Sequence, residues 1–259
     1  MINSPIGVFD SGVGGLSVFS QLIKLLPDEN YIYFGDTINL PYGNKSQEEL
    51  VEITRKIFDF FKSKNVKAVV MACNTTSAMT YDILSPNYDF KIYPIVQTVS
   101  KKIAMQGHNK IGVFATMGTI NSHAYKKEIN KYSNAQVFEI ACPEWVNIVE
   151  NELQNKEESI QNIKMHLDEM LKNNVDKIIL GCTHYPYLLE VLSKFAPESL
   201  FINPAKFFAE YIFNDLKENN LLCNRMTHEH KFYVTSNPKQ FATASKLFYK
   251  VQEIEEIKL

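Results

Sequence analysis

The sequence predicts an α/β fold made of two similar α/β lobes with mainly parallel sheets and a ligand site in the cleft between them. Two observations lead to this prediction. Short runs of β-branched and aliphatic residues alternate with longer amphipathic stretches along the 259 residues, and one part of the chain resembles another. Strands that alternate with helices are typical of βαβ units, in which neighbouring strands run parallel.

The expected elements follow from these patterns. Nine short apolar runs are the expected strands: residues 6–9, 31–34, 68–72, 92–96, 111–114, 136–140, 177–181, 199–202 and 231–235. Residues 46–62 begin with Ser-Gln-Glu-Glu, a capping-box signal for the start of a helix. Residues 157–173 carry apolar side chains at helical spacing. We expect a last helix over about residues 238–253.

An internal repeat predicts that the two lobes are alike. Residues 65–73 align without gaps with residues 174–182, with three identical positions that include the final cysteine. Residues 6–9 and 111–114 form a second matching pair in the same order. Two ordered matches indicate one lobe architecture used twice.

The repeat also sets the expected domain boundaries. The first lobe is predicted over residues 1–97 together with 206–259, and the second over residues 98–205. The C-terminal segment is too short to bury a core of its own, so we expect it to complete the first lobe.

Composition excludes several classes of partner. The formal net charge of −2 favours no charge-driven contact with nucleic acid or an anionic membrane. With Arg55 and Arg225 as the only arginines, a site built on several Arg–carboxylate forks is not expected. The N-terminal segment lacks the features of a secretory signal, and no apolar run approaches the ~20 residues that span a bilayer. We expect a cytoplasmic protein with reduced thiols.

The cysteines and histidines do not form a disulfide framework or a metal site in this interpretation. Four cysteines are too few and too scattered for a chain of this length: Cys73, Cys142, Cys182 and Cys223. His228 and His230 lack cysteine partners at zinc spacing, so we predict that they lie on the surface and that no metal is bound.

Three motifs follow predicted strands and are the candidates for chemistry: residues 10–15, 73–76 and 182–184. Ligands of open parallel sheets bind at the carboxyl ends of the strands. One cysteine that ends a buried strand is more often a packing residue than a reactive one. Because Cys73 and Cys182 occupy matching positions of the repeat, however, we expect them on opposite walls of one cleft. Cys142 and Cys223 have no such setting and are expected to be packing residues.

Two facing thiols favour inversion of a stereocentre. A thiol has a pKa near 8.5, so one thiol can remove a proton from carbon while the other returns a proton to the opposite face. His184 is placed to assist Cys182, and Asp10 could assist the other thiol. Donors for a substrate carboxylate are available at Ser11, Asn74, Thr75 and Thr183.

These motifs also resemble those of a known family. Phe9–Val18 (FDSGVGGLSV), Gly35-Asp36, Pro41-Tyr42-Gly43, Ala72–Thr75 (ACNT) and Leu180–Pro186 (LGCTHYP) closely resemble the signature segments of glutamate racemases, which belong to the cofactor-independent aspartate/glutamate racemases.

The resemblance implies a two-base mechanism without a cofactor. In it, Cys73 serves the D-glutamate face, Cys182 serves the L-glutamate face, and Asp10 and His184 assist them. The residues that match the family's substrate contacts are Asp10, Ser11, Pro41, Tyr42, Gly43, Asn74, Thr75, Thr183 and His184. Thr119 and Glu150 match residues found around the same cleft. The resemblance further implies a homodimer that supplies D-glutamate for peptidoglycan.

Three alternatives remain open from the residues alone. An aspartate racemase would use the same chemistry on a substrate one methylene shorter, a difference worth only about 1–3 kcal/mol. A thiol hydrolase would use Cys182 as nucleophile and His184 as base, and would leave Cys73 and the repeat unexplained. A non-catalytic two-lobed amino-acid-binding protein would not need paired thiols.

Overall fold

The computed structural model describes residues 2–224, 229–251 and 253–259, so Arg225 and His228 lie outside the described residues. Within these ranges the strands are β1 (Ile6–Asp10), β2 (Tyr31–Gly35), β3 (Ala68–Met71), β4 (Lys91–Pro94), β5 (Lys110–Ala115), β6 (Gln136–Ala141), β7 (Lys177–Gly181), β8 (Phe201–Ile202), β9 (His230–Val234) and β10 (Ile254–Glu256). The helices are α1 (Leu16–Leu25), α2 (Gln47–Ser63), α3 (Asn74–Leu84), α4 (Ile95–Ala104), α5 (Met117–Ser122), α6 (Ala124–Asn130), α7 (Trp145–Glu150), α8 (Glu157–Leu171), α9 (Leu189–Leu192), α10 (Pro204–Glu218) and α11 (Pro238–Ser245).

The strands form two sheets in which all described pairings are parallel. The first has the order β10-β9-β2-β1-β3-β4, and the second has the order β6-β5-β7-β8. The central strands are fully buried, as expected when helices cover both faces of a parallel sheet. The predicted α/β class with two similar, parallel-sheet lobes is confirmed.

The sequence repeat corresponds to a repeat of topology. The order β2-β1-β3-β4 of the first sheet is reproduced as β6-β5-β7-β8 in the second. The register repeats as well, because Ile6 lies opposite Ala68 in β3, and Ile111 lies opposite Lys177 in β7. The ends of β3 and β7 are therefore equivalent positions, and a cysteine follows each.

The C-terminal segment extends the first sheet. Strand β9 pairs with β2, and β10 pairs with β9. Helix α10 precedes them and packs against α1 and α4. These pairings agree with the expectation that the tail completes the first lobe, while the boundaries 1–97 with 206–259 and 98–205 stay a prediction.

Two predicted elements are wrong in extent. The run 92–96 is not one strand, because β4 ends at Pro94 and α4 begins at Ile95 with its apolar face buried. The last helix ends at Ser245 rather than near residue 253. Phe248 and Val251 remain buried without a helix, and the chain then forms the three-residue edge strand β10.

The capping box of α2 is present as predicted. The Ser46 hydroxyl accepts from the Glu49 amide, and the Glu49 carboxylate accepts from the Ser46 amide. His230, predicted on the surface, instead lies partly buried in β9 with its ring edge-on to Phe19, because the strand turns this side chain toward the aromatic core. No helix in the described ranges is long and apolar enough to cross a membrane.

Candidate active site

The cysteines that follow β3 and β7 line one cavity of about 170 Å³. Cys73 ends the short link between β3 and α3, and Cys182 directly follows β7. Ten of the predicted site residues line this cavity: Ser11, Pro41, Tyr42, Gly43, Cys73, Asn74, Thr75, Cys182, Thr183 and His184. The strand ends of both sheets therefore contribute to a single site, as the repeat predicted.

The Cys182 side of the cavity carries a chain of hydrogen-bonded groups. The Sγ atom of Cys182 lies 3.8 Å from Nδ1 of His184, and Nε2 of His184 lies 2.9 Å from Oε1 of Glu150. Burial alone would lower the pKa of His184, but its hydrogen bonds with Cys182 and Glu150 raise it to about 10. These contacts favour the charged form of His184, whose two nitrogens are directed at Cys182 and Glu150.

The Cys73 side has the opposite electrostatic character. Burial, together with the nearby negative charge of Asp10, raises the pKa of Cys73 to about 12. Cys73 is therefore a neutral thiol at physiological pH. Its neighbour Asp10 is buried at the end of β1, where its Oδ1 accepts from the Gly12 amide at 3.0 Å. Burial raises the pKa of Asp10 and the charge of His184 opposes that shift.

Three predicted site residues lie just behind the cavity wall. Glu150 contacts the cavity residue His184. Asp10 lies behind Thr183, whose hydroxyl points to Oδ2 of Asp10 at 3.5 Å. Thr119 contacts Thr75 at 3.4 Å between their hydroxyl oxygens and is almost fully buried. These three residues can orient cavity residues.

Two glycines of the 10–15 motif allow the start of α1 to approach both lobes. A Cβ atom on Gly15 would lie 2.4 Å from Cβ of Asp10. A Cβ atom on Gly14 would lie 2.3 Å from Oγ1 of Thr183 and 2.5 Å from Cε1 of His184. These two glycines therefore permit close contact across the cleft.

The loop that carries Tyr42 and Gly43 is held from outside the cavity. The Tyr42 hydroxyl donates to Oδ2 of Asp36 at 2.6 Å, and Thr235 at the end of β9 donates to Oδ1 of the same carboxylate at 2.8 Å. The Tyr42 hydroxyl is therefore engaged by Asp36. Strand β9 thereby supports the loop that closes one side of the site.

The structure adds cavity residues that sequence reasoning missed, namely Leu40, Asn44, Thr116, Met117, Pro143 and Val146. The sequence repeat contains a signal for Thr116. The alignment that matches Ile6 with Ile111 also matches the predicted site residue Ser11 with Thr116. The Thr116 hydroxyl lies 3.0 Å from that of Thr75 and 3.1 Å from that of Thr119. Leu40, Met117, Pro143 and Val146 are apolar and carry no chemical signal.

The other two cysteines do not line the cavity. Cys142 is fully buried in the second lobe, and Cys223 is partly buried with its sulfur 3.1 Å from Oδ1 of Asn3. In the described part of the chain, no group of three or more His, Cys, Asp or Glu side chains could hold a metal ion.

A cavity lined from two equivalent parallel sheets, with one cysteine from each, places the molecule among two-lobed α/β proteins with paired thiols. The family model "Asp/Glu/Hydantoin racemase" matches residues 6–211. The chain belongs to this family and is a racemase, an isomerase by class.

Individual relatives agree with this assignment. The chain is 39% identical to a glutamate racemase of Carboxydothermus hydrogenoformans, over 98% of this chain and 96% of that protein. The crystal structure of a glutamate racemase from Francisella tularensis in complex with D-glutamate is similar with a TM-score of 0.93 and 33% identity, over 100% of this chain and 98% of that one. The crystal structure of a glutamate racemase isoform from Bacillus anthracis is similar with a TM-score of 0.94 and 32% identity, over 100% of this chain and 99% of that one. An aspartate racemase of Picrophilus torridus shares the fold at 15% identity, with a TM-score of 0.62 over 84% of this chain and 98% of that one.

Proposed function

We propose that this protein interconverts L- and D-glutamate without a cofactor, by proton transfer between the substrate and two thiols. The observation that supports this most strongly is that Cys73 and Cys182 line the same small cavity with different charged neighbours. One thiol is held neutral beside Asp10, and the other hydrogen-bonds with the His184 imidazolium. A base on one face and an acid on the other are what inversion at carbon requires.

In the direction from L- to D-glutamate, the thiolate of Cys182 removes the α-proton. The carbon–hydrogen bond breaks, a sulfur–hydrogen bond forms, and the electron pair spreads from the α-carbon into the carboxylate. The Cys73 thiol then gives its proton to the opposite face, which leaves a Cys73 thiolate and a Cys182 thiol. In the reverse direction the two thiols exchange roles. His184, held by Glu150, stabilises the Cys182 thiolate, and Asp10 assists proton exchange at Cys73.

The neutral donors around the cavity would stabilise the charge that develops on the substrate carboxylate. Helix α3 begins at Asn74, so its first backbone amides point toward the thiol end of the cavity. The side chains of Ser11, Thr75 and Thr183 add hydroxyl donors. The opposite side of the substrate is closed by Pro41, Tyr42 and Gly43. Thr119 lies behind Thr75 and supports it.

Glutamate is favoured over aspartate by the relatives. The chain is 36–39% identical to several glutamate racemases over more than nine-tenths of its length. In contrast, its likeness to aspartate racemases concerns the fold. We further propose that the protein acts in the cytoplasm as a homodimer, without nucleic-acid or membrane partners, and that its D-glutamate enters peptidoglycan.

The test is solvent exchange without added cofactor. L-glutamate is incubated with the protein in deuterated water, and optical rotation and deuterium at the α-carbon are followed together. We expect rotation to decay to zero as one deuterium enters, for both enantiomers. Absence of exchange from either enantiomer would refute the proposal, and faster exchange of aspartate would reassign the substrate.

Cysteine variants test the two-thiol assignment. Cys73→Ala and Cys182→Ala should each abolish racemisation, because each removes the base for one direction and the acid for the other. Cys223→Ser is the matched control, since Cys223 lies outside the cavity and serine keeps a polar contact with Asn3. Racemisation by either cavity variant at a near wild-type rate would contradict the mechanism. A covalent adduct on Cys182 with ester probes would favour a thiol hydrolase.

A further inference from the structure

Tyr125 connects the two thiol-bearing segments. It lies on α6 of the second lobe and is fully buried. Its ring packs against Gly181, the residue before Cys182, so closely that a Cβ atom on Gly181 would come within 2.9 Å of Cε2. Its hydroxyl donates to Oδ1 of Asn74, the residue after Cys73, at 2.7 Å. One side chain therefore contacts the neighbours of both cysteines.

This hydrogen bond orients the amide of Asn74. With Oδ1 accepting from Tyr125, the Nδ2 group lies on the other branch of the planar amide and points in a different direction. The Nδ2 atom is buried and has no hydrogen-bond partner among the described residues. A buried donor without a partner costs free energy, so an unfilled one at a ligand cavity indicates a group kept for the ligand. Asn74 lines the cavity that holds both thiols.

We propose that Tyr125 is a positioning residue, which sets the Asn74 amide so that Nδ2 donates a hydrogen bond to the carboxylate on the substrate's reacting carbon. This inference rests on the proposed racemisation and adds a residue to it. The bond crosses from the second lobe to the first, so the donor is aligned only when the lobes are in this arrangement. Negative charge grows on that carboxylate as the α-proton leaves, so a fixed donor there favours the transition state.

A second role for the amide can be separated from this one. Asn74 also borders a cavity of about 10 Å³, together with Ser17, whose hydroxyl likewise has no partner among the described residues. That volume suits one water molecule. If Nδ2 served only such a water, Tyr125 would matter for stability and not for turnover.

The experiment compares Tyr125→Phe with Tyr31→Phe. Each substitution removes one buried phenol hydroxyl and keeps the ring. Tyr31 begins β2, at the end of the strand away from the thiols, and its hydroxyl donates to the carbonyl of Leu26, which follows α1. We expect Tyr125→Phe to lower kcat/KM for glutamate by about 10- to 100-fold, or about 1.4–2.8 kcal/mol. For Tyr31→Phe, kcat/KM should stay within about twofold of the wild-type value. The loss of Tm should be comparable in the two variants.

A double-mutant cycle with Asn74→Ala shows whether Tyr125 acts through Asn74. In the Asn74→Ala background, Tyr125→Phe should change kcat/KM by less than about threefold. An equal effect of Tyr125→Phe in both backgrounds would overturn the proposal. So would a Tyr125→Phe protein with near wild-type kcat/KM, or one that does not fold, because the hydroxyl would then serve stability. If the wild-type protein does not racemise glutamate, the proposed function itself fails, and the variants are not the cause.

Discussion

The raised pKa of Cys73 predicts how stability depends on pH, independently of any substrate. A cysteine ordinarily has a pKa near 8.5, and burial beside Asp10 raises the pKa of Cys73 to about 12. Between these values the folded protein keeps the thiol proton, while the unfolded chain has lost it. The free energy of unfolding must therefore fall as pH rises through this window. The contribution of Cys73 to the free energy of unfolding is complete below about pH 8.5 and is gone near pH 12.

The size of the effect follows from the shift. Each pH unit in the window costs about 1.4 kcal/mol for one retained proton. From pH 9.5 to 10.5 the wild-type protein should thus lose about 1.4 kcal/mol more stability than Cys73→Ser, whose hydroxyl does not titrate there. Other buried groups with raised pKa values, such as Cys142, titrate in both proteins and cancel in the difference.

Urea unfolding at a series of pH values measures this difference. Trp145 is the single tryptophan and is fully buried, so its fluorescence reports the second lobe, while circular dichroism reports the whole chain. Coincident transitions from the two probes establish a two-state free energy. Parallel curves for the wild-type protein and Cys73→Ser between pH 9.5 and 10.5 would refute the argument that Cys73 is held as a neutral thiol.

Three further predictions concern other parts of the molecule. Glu150→Gln replaces a charged partner of His184 by a neutral one, so the pKa of His184 should fall by about one to two units in an NMR titration. An unchanged pKa of His184 would show that Glu150 does not stabilise its charged form. Gly14→Ala places a Cβ atom 2.5 Å from Cε1 of His184, so kcat/KM should fall at least about tenfold, and unchanged kinetics would contradict the close approach. In the wild-type protein, Nζ of Lys67 lies 2.5 Å from Oε2 of the buried Glu29. Lys67→Met removes this ion-pair partner of Glu29. This change should destabilise the protein by about 3–5 kcal/mol in urea with kcat unchanged, and a loss of kcat in folded protein would contradict its structural role.

The sequence was sufficient for the parts of the fold that local patterns determine. The repeat placed β3 and β7 correctly because both are continuous apolar runs that end in a cysteine. The capping box placed α2 because side chain and backbone interact there within four residues. Strand β10 was missed because its three residues, Ile-Glu-Glu, carry no pattern of their own and are ordered only by pairing with β9.

The site shows the same division. Ten predicted residues line the cavity because they directly follow strands or belong to extended motifs. The apolar wall formed by Leu40 and Met117 could not be foreseen, since apolar side chains in loops have no distinctive spacing. The bond between Tyr125 and Asn74 joins residues from different lobes, so only packing of the two lobes reveals it.

The two lobes share a scaffold but differ in charge where chemistry is proposed. The repeat that relates Cys73 to Cys182 also relates Asp10 to Ala115 and Thr75 to His184. Each thiol thus has one charged neighbour without a charged counterpart at the equivalent position: Asp10 acts on Cys73, and His184 on Cys182. Equivalent strand ends bring the thiols to one cavity, where Asp10 lies near Cys73 and His184 lies near Cys182. A two-base reaction needs a base on one face of the α-carbon and an acid on the other, so the shared scaffold supplies the two faces and the unlike charges distinguish the two thiols.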